Sequence, residues 1–568
     1  MRASQKKRKT QNPGLCKPRV LVYNLNMQTI KLQSDYTVFG DGCQLAISLQ
    51  KEIKIPKDDP VRLLNAVIER MDLRELAATY PMEGKIEHEP ASLLKVVIYA
   101  RMRRIFGTRS IEEACRENVN FMFLLNGRPA PDHNTLYRFI KYHFEPVCKD
   151  LQRQLTQMLM ELGEVSFAES AVFIDGTKIE ANANRYRFVW KTATVKNYEK
   201  LQAKMKEELP KLIREQGLHY QMPDEIRVRH LKKILKKLKE KGKKQGLVFV
   251  SGKGKHKTPL QRAIETVEEW LRRAKKYIAD IHICGERNSY CKTDHDATFM
   301  RMKEDHMLNG QLKPGYNVNV ATVSEYIVGS YISSDRTDTK TLIPFLEELK
   351  QWRYPMERIV VDAGYESEEN YRYFERETNL SLFVKPMNHE KRKTKKYRTD
   401  IGRRENMPYD PATDTYTCAQ GRRLNAVQIR KTKSAAGFPT ETTVYECESC
   451  EGCPCKEKCI RKGTSRKPVE ERTKRLNVSK YFAEQREAME AKINTPEGIR
   501  LRMNRSIMSE GVFAMIKEDL RFRRFLTRGI QTVTAEWYLM AFAYNILKLH
   551  HRIQNGRLGT HLYETKAA

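Results

Sequence analysis

The 568-residue sequence has no run of the ~20 apolar residues that a membrane span requires. The basic stretch Met1 to Thr10 has no apolar segment behind it, so it does not read as a secretory leader. Cysteine is scarce and unevenly placed. Five of the 12 lie between Cys447 and Cys459, which argues for a metal knuckle rather than an extracellular disulfide framework. No internal repeat is evident. Negative charge is in short supply: 71 Asp and Glu face 104 Lys and Arg, a formal net charge of +33. The reading is a cytoplasmic protein, associated with the nucleoid and away from membranes. The unbalanced positive charge calls for a polyanionic partner, nucleic acid before any other.

What is present divides into several regions, as the length requires. Residues 1–60 form an N-terminal segment without a clear period, although Leu21 to Met27 is apolar enough for a strand. Residues 61–165 carry apolar positions at helical intervals: Leu63, Val67, Met71 and Leu76, then Leu93, Val96, Val97 and Ala100. Ser110 with Glu113 reads as a capping box. Gly127 to Pro131 breaks the pattern, and a long helix starts near Asn134. The character changes at Ala171. Ala171 to Ile174 reads as a buried strand ended by the turn Asp175-Gly176. Strands are also expected at Tyr316 to Thr322, Tyr326 to Ile332, Arg358 to Val361 and Leu380 to Val384, with helices from Thr339 to Leu349 and from Tyr371. Residues 166–387 are thus the first part of a core, interrupted at about 190–285 by a Lys-, Glu- and Leu-rich insertion. Its run Leu231 to Leu238 is a basic amphipathic helix, with Ala263 to Ile281 as its hairpin partner. A second, basic and Cys-rich insertion covers 388–475 without a period. Residues 476–568 return to the core, where Trp537, Met540, Ala541, Tyr544 and Leu547 line one helix face. The expected class is α/β: a mixed sheet core, an all-helical N-terminal domain and two insertions.

Three acids stand out by context. Asp175 and Asp362 each follow a short apolar strand and precede a Gly or Ala-Gly, the strand-end position where open sheets gather ligand sites. Glu510 opens a helical stretch, Glu510 to Leu520, with Phe513 and Ile516 facing inward. Carboxylates brought together repel one another, and hard divalent cations such as Mg²⁺ or Mn²⁺ relieve that repulsion. Two such ions about 4 Å apart can activate an attacking water or hydroxyl and stabilise the leaving oxygen of a phosphodiester. An Asp at a strand end is otherwise a turn or cap residue. Asp294, Asp296, Glu180, Asp335 and Asp338 compete on pattern alone, and Asp338 also suits a helix N-cap.

Phe173-Ile174-Asp175-Gly176-Thr177-Lys178-Ile179-Glu180-Ala181-Asn182-Ala183-Asn184 resembles the first-aspartate block of bacterial insertion-sequence DDE transposases. Val361-Asp362-Ala363-Gly364-Tyr365 is similar to their second-aspartate block. Glu510-Gly511-Val512-Phe513 with Lys517, then Arg523-Arg524-Phe525 and Arg528-Gly529, resembles their glutamate block. Arg116-Glu117-Asn118 and Pro131 to Thr135 resemble their helical N-terminal module. The resemblance runs from about Val61 to Leu549. It implies a ribonuclease-H-like core and a catalytic triad of Asp175, Asp362 and Glu510 holding two Mg²⁺ or Mn²⁺ ions. It implies metal-dependent cleavage at the terminal inverted repeats of an element and strand transfer into target DNA. It departs where some relatives place a Tyr and an Arg: Met503 and Ser506 stand there, with Arg505 one residue off. A non-catalytic DNA-binding derivative and a stand-alone metal-dependent nuclease are the alternatives.

Cys418, Cys450, Cys453 and Cys459 give four soft ligands on two arms, a set suited to tetrahedral Zn²⁺ in a structural role. They resemble a pattern found in some relatives. Lys456 and Lys458 would favour thiolates there, and Cys447 and Cys455 are spare ligands. For double-stranded DNA, the helix from Asn134 is the candidate reader, with Arg138 and Lys141 on one face. A helical bundle packed on the core is the other reading of 61–165. Lys178, Lys517, Arg524 and Arg528 are candidate phosphate contacts. The helices at 190–285 either clamp DNA or join two copies. Paired cutting of two ends implies a homodimer on DNA.

Overall fold

Val172, Phe173 and Ile174 are β-branched or aromatic residues with no exposed face, the composition of a central strand. In the computed structural model they open β1 (Val172–Glu180). The structure describes residues 55–81, 88–302, 310–434, 437–460 and 467–560. The strand expected at Leu21 to Met27 lies outside the described residues. Short strands β2 (Phe188–Trp190) and β3 (Ser289–Cys291) pair with each other. The main sheet is completed by β4 (Thr298–Arg301), β5 (Leu312–Val323), β6 (Tyr326–Ser333), β7 (Arg358–Val361) and β8 (Ser381–Val384).

The strand order is β4-β5-β1-β7-β8, with β6 also paired to β5. β1 runs antiparallel to β5 from Phe173↔Thr322 to Glu180↔Gly315. It runs parallel to β7 only from Val172↔Ile359 to Ile174↔Val361. Asp175-Gly176 is therefore not the turn expected from the sequence. Those residues sit inside β1, which continues along β5 after its pairing with β7 has stopped. One face of the sheet is covered by the long helix Ile530–Gln554, buried almost all round from Ala535 to Ile546. Trp537, Met540, Ala541 and Tyr544 pack there with Val318, Val320 and Ile327.

The region before β1 is helical: Pro60–Arg70, Pro90–Met102, Thr108–Glu117, Val119–Leu124 and His133–Arg138, the last continuing through a π segment into Glu145–Glu161. Several of these helices pack on Ile530–Gln554. Ser110 does not cap a helix, because Thr108–Glu117 starts two residues earlier behind Gly107. Asp338 is no cap either. Thr337 precedes the short 3-10 turn Asp338–Lys340, and Thr341 precedes the helix Leu342–Gln351.

The first insertion is a bundle of three helices, Lys191–Glu215, Val228–Lys244 and Pro259–Cys284. Leu201, Met205, Leu209, Leu231, Ile234, Leu238, Val267 and Trp270 close its own core, so the apolar face of the basic helix is satisfied within the chain. The second insertion, expected to be irregular, contains an antiparallel sheet of β9 (Tyr409–Asp410), β10 (Thr415–Thr417), β11 (Arg423–Lys433), β12 (Pro439–Cys447) and β13 (Arg475–Val478). The signal is missing from the sequence because only Leu424 of the 11 residues in β11 is buried, so no alternation marks the strand. Among the described residues no helix is long and apolar enough to cross a membrane.

Candidate active site

Asp175 and Asp362 arrive on neighbouring strands. Ile174 faces Val361 in the parallel ladder, and each acid is the next residue. Asp175 is buried and Asp362 is partly open, its side chain 44 % exposed. Arg505 touches both: Nη1 lies 3.3 Å from Asp175 Oδ2 and Nη2 lies 3.8 Å from Asp362 Oδ1. A cation thus already stands between the two carboxylates, as mutual repulsion requires. Arg505, one step off the motif position, is a site residue that the sequence reading passed over. No spacing rule marks it, because the contact depends on the phase of its helix.

That helix begins at Pro496–Arg505 and passes through a π turn, Ser506–Glu510, into Gly511–Ala514 and a second π turn, Met515–Asp519. It does not open at Glu510, as the sequence suggested. π turns of this kind recur at functional sites, since an extra residue re-aims the side chains that follow. Met508 is buried with Phe173, Val360, Phe383 and Leu501, beneath the strands that carry the aspartates. Val512, Phe513 and Ile516 are buried with Ile179, Val318 and Trp537. Glu510 lies between these two anchors, exposed, on a turn that packs against β1 and β5. Each of these buried side chains contributes roughly 1.5–3 kcal/mol of apolar burial. Among the described residues, no three His, Cys, Asp or Glu side chains are arranged as a ready metal cage.

The competing acids have structural partners. Asp294 accepts from the Tyr316 hydroxyl at 2.8 Å and from Gly529 N. Asp296 Oδ2 accepts from Ile530 N at 2.9 Å, at the start of the long helix, where a negative charge is favoured. Glu180 pairs with Lys313 at 3.1 Å, and Asp335 is tied to Ser333. Asp338 differs. Its Oδ1 accepts from Asn317 Nδ2 at 2.6 Å, and its carboxylate lies against Gly176 and Gly364, close to the two aspartates in sequence. Burial, then Asp338, Asp175 and Asp362, hold the Tyr365 hydroxyl well above its ordinary pKa. Tyr365 therefore stays protonated and donates to Asn319 Oδ1 at 2.6 Å.

The candidate phosphate contacts gather near the far end of β1. Lys517 is buried and its Nζ lies 3.4 Å from Lys178 O. The segment around Arg524 adds to the edge of β1 through Phe525 N to Glu180 O at 2.9 Å. Arg528 Nε donates to Asn182 O at 2.8 Å. Arg524 and Arg528 are exposed. Asn134 and Arg138 are exposed on their helix, and Lys141 Nζ lies over the Tyr137 and Tyr142 rings.

In the second insertion, Cys418, Cys450, Cys453 and Cys459 come near enough for their charges to interact. Burial first, then these neighbours, push the Cys459 thiol up, against the pull of Lys474. Cys447 is pushed up to about 12 by burial and by Cys450. Lys474, which the sequence did not single out, lies beside the cluster. Its Nζ donates to Cys459 O at 3.1 Å, while its backbone N–H points at Cys450 Sγ, 3.3 Å away. Lys456 instead donates to Glu470 O.

Two family models match the chain. One, described as a transposase DDE domain, covers residues 417–550, and the other, described as a transposase domain (DUF772), covers residues 49–142. The chain is a DNA transposase. The two domains in this order place it with the DDE transposases of insertion sequences. The first match contains Glu510, Lys517, Arg524, Arg528 and the four cysteines. The second contains Asn134, Arg138 and Lys141, while Asp175 and Asp362 lie outside both. No curated protein and no solved structure matches the chain.

Proposed function

We propose that Asp175, Asp362 and Glu510 form the catalytic triad of this transposase on a ribonuclease-H-like core. The observation that carries the reading is the single guanidinium of Arg505 set between Asp175 and Asp362. It marks the pair as a place for positive charge, and the donors are the hard oxygens that Mg²⁺ and Mn²⁺ prefer. The order β6-β5-β1-β7-β8, antiparallel on one side of β1 and parallel on the other, supports the core assignment. Two bound ions would supply an activated water or 3′-hydroxyl and neutralise the leaving oxygen.

The chain's own residues do the rest. Asp175 presents its oxygens from within β1 and Asp362 from the residue just past β7, and Glu510 closes the set from its helix. Arg505 neutralises the aspartates until a divalent ion takes that role. Lys178, Lys517, Arg524 and Arg528 hold phosphates in line along β1. The helix from Asn134, with Arg138 and Lys141, reads the element ends from the domain at 61–165. The four cysteines would hold a structural Zn²⁺, which would fix the sheet β9–β13. Two copies act together on paired ends, and the protein works on the bacterial nucleoid.

Labelled DNA carrying the element's ends, incubated with Mg²⁺, tests this. Wild type is expected to release 3′-hydroxyl ends and join them to target. Asp175→Ala, Asp362→Ala and Glu510→Ala are each expected to lose both steps by at least a thousandfold while still binding DNA. Undiminished cutting by any one of them removes that residue from the triad.

A further inference from the structure

The parallel pairing of β1 with β7 ends at Ile174↔Val361, one residue before the two aspartates. The backbone ladder therefore does not set the spacing of Asp175 and Asp362. Something else must, because metal-binding carboxylates need fixed separation.

One carboxylate lies against both strand ends. A Cβ placed on Gly176, the residue after Asp175, would stand 2.8 Å from Asp338 Oδ1. A Cβ on Gly364, two residues after Asp362, would stand 3.1 Å from Asp338 Oδ2. The three atoms nearest to that second position all belong to Asp338. Asp338 is itself held from behind. Asn317, wholly buried on β5, donates to its Oδ1 at 2.6 Å. The Thr341 hydroxyl lies 2.9 Å from its backbone oxygen and 2.8 Å from Asn319 Oδ1, the atom that also receives the Tyr365 hydroxyl. Among the described residues no lysine, arginine or histidine pairs with Asp338, so it is not spent in an ion pair.

We propose that Asp338 is a positioning residue for the proposed triad: its carboxylate, wedged between Gly176 and Gly364, sets the spacing of Asp175 and Asp362. This rests on the triad reading above. It also gives both glycines a reason in packing rather than in backbone conformation, since a Cβ at either position would crowd the wedge.

The full-length protein with Asp338→Ala, Asp338→Asn, Gly364→Ala and the double change Gly364→Ala with Asp338→Ala tests it. Two quantities are read: Mn²⁺ affinity by electron paramagnetic resonance without DNA, and the Mg²⁺ concentration for half-maximal end cleavage. Asp338→Ala is expected to weaken Mn²⁺ binding and raise the Mg²⁺ requirement at least tenfold each. Asp338→Asn keeps the shape and the acceptor for Asn317, and its shift is expected to stay under threefold. Gly364→Ala should be damaging alone but add nothing to Asp338→Ala, because the atom it collides with has gone. Wild-type Mn²⁺ affinity in Asp338→Ala, or additive effects in the double variant, overturns the wedge. If wild type binds Mn²⁺ but cuts nothing, the catalytic reading fails while the affinity cycle still decides the role of Asp338.

Discussion

Glu366 lies four residues after Asp362, and its side chain is wholly buried. Both of its oxygens are saturated. Arg486 Nε and Nη2 reach Oε1 and Oε2 at 2.8 Å each, Met387 N reaches Oε2 at 2.9 Å, and the Tyr371 hydroxyl reaches Oε1 at 3.2 Å. This fork ties the segment behind the second aspartate to the helix Lys480–Ile493. In Glu366→Ala the Arg486 guanidinium, only 18 % exposed, loses its counter-charge. Removing one member of such a pair costs about 3–5 kcal/mol, because the other stays buried and uncompensated. Backbone amide exchange over residues 362–374 reads the local opening free energy. It should quicken by roughly two to four orders of magnitude, at about 1.4 kcal/mol per tenfold, up to the limit set by global unfolding. Arg486→Ala should do the same, and the double variant should cost less than the two summed. Glu390→Ala, which removes exposed pairs with Lys385 and Lys393, should leave exchange over the same residues close to wild type, because solvent screens such pairs. If Glu366→Ala leaves exchange within about threefold of wild type, the fork does not hold the Asp362 segment.

Three further outcomes follow from other parts of the molecule. Cys450→Ser with Cys453→Ser should abolish zinc in metal analysis of the purified protein and expose 409–478 to protease, whereas undiminished zinc would exclude these ligands. Replacing Lys178, Arg524 and Arg528 together by Ala should flatten the dependence of log affinity on log salt by about 0.9 for each phosphate no longer neutralised, so an unchanged slope removes them from the DNA path. His143 stacks on Tyr80 with ring centroids 3.8 Å apart, and burial holds it below its ordinary pKa of 6.5. Protonation then favours the unfolded chain, so its contribution to stability is present above about pH 6.5 and is lost as pH falls below it. Amide exchange over 133–144, corrected for intrinsic rates, should quicken between pH 7 and pH 5.5 in wild type and much less so in His143→Gln.

The strands around the site were readable because they are short and apolar on both sides: Arg358–Val361 starts and ends where the pattern places it. The nearness of Cys418, Cys450, Cys453 and Cys459 was readable from their spacing. What the pattern misses depends on three-dimensional phase. Asp175 reads as a strand end, but β1 runs on to Glu180 because β5 is longer than β7. Asp338 reads as a cap, because a short acid before a helix usually is one. Its contacts with Gly176 and Gly364 come from chain segments well over a hundred and about twenty-five residues away. Arg505 reads as a missed motif position, since a one-residue offset looks fatal until the π turn after it is known. The sheet of the second insertion stays hidden because a solvated ribbon such as β11 has no apolar alternation.

The central claim is that Asp175, Asp362 and Glu510 act by holding metal, and a metal switch tests it most directly. Asp175→Cys, Asp362→Cys and Glu510→Cys place a softer ligand at each position in turn, one that Mg²⁺ accepts poorly and Mn²⁺ accepts better. End cleavage by each variant should vanish in Mg²⁺ and return, at least in part, in Mn²⁺, with DNA binding unchanged. Cysteine variants that cut as well as wild type in Mg²⁺ would contradict the claim, and so would variants that none of the metals revive while Asp→Ala changes elsewhere behave alike.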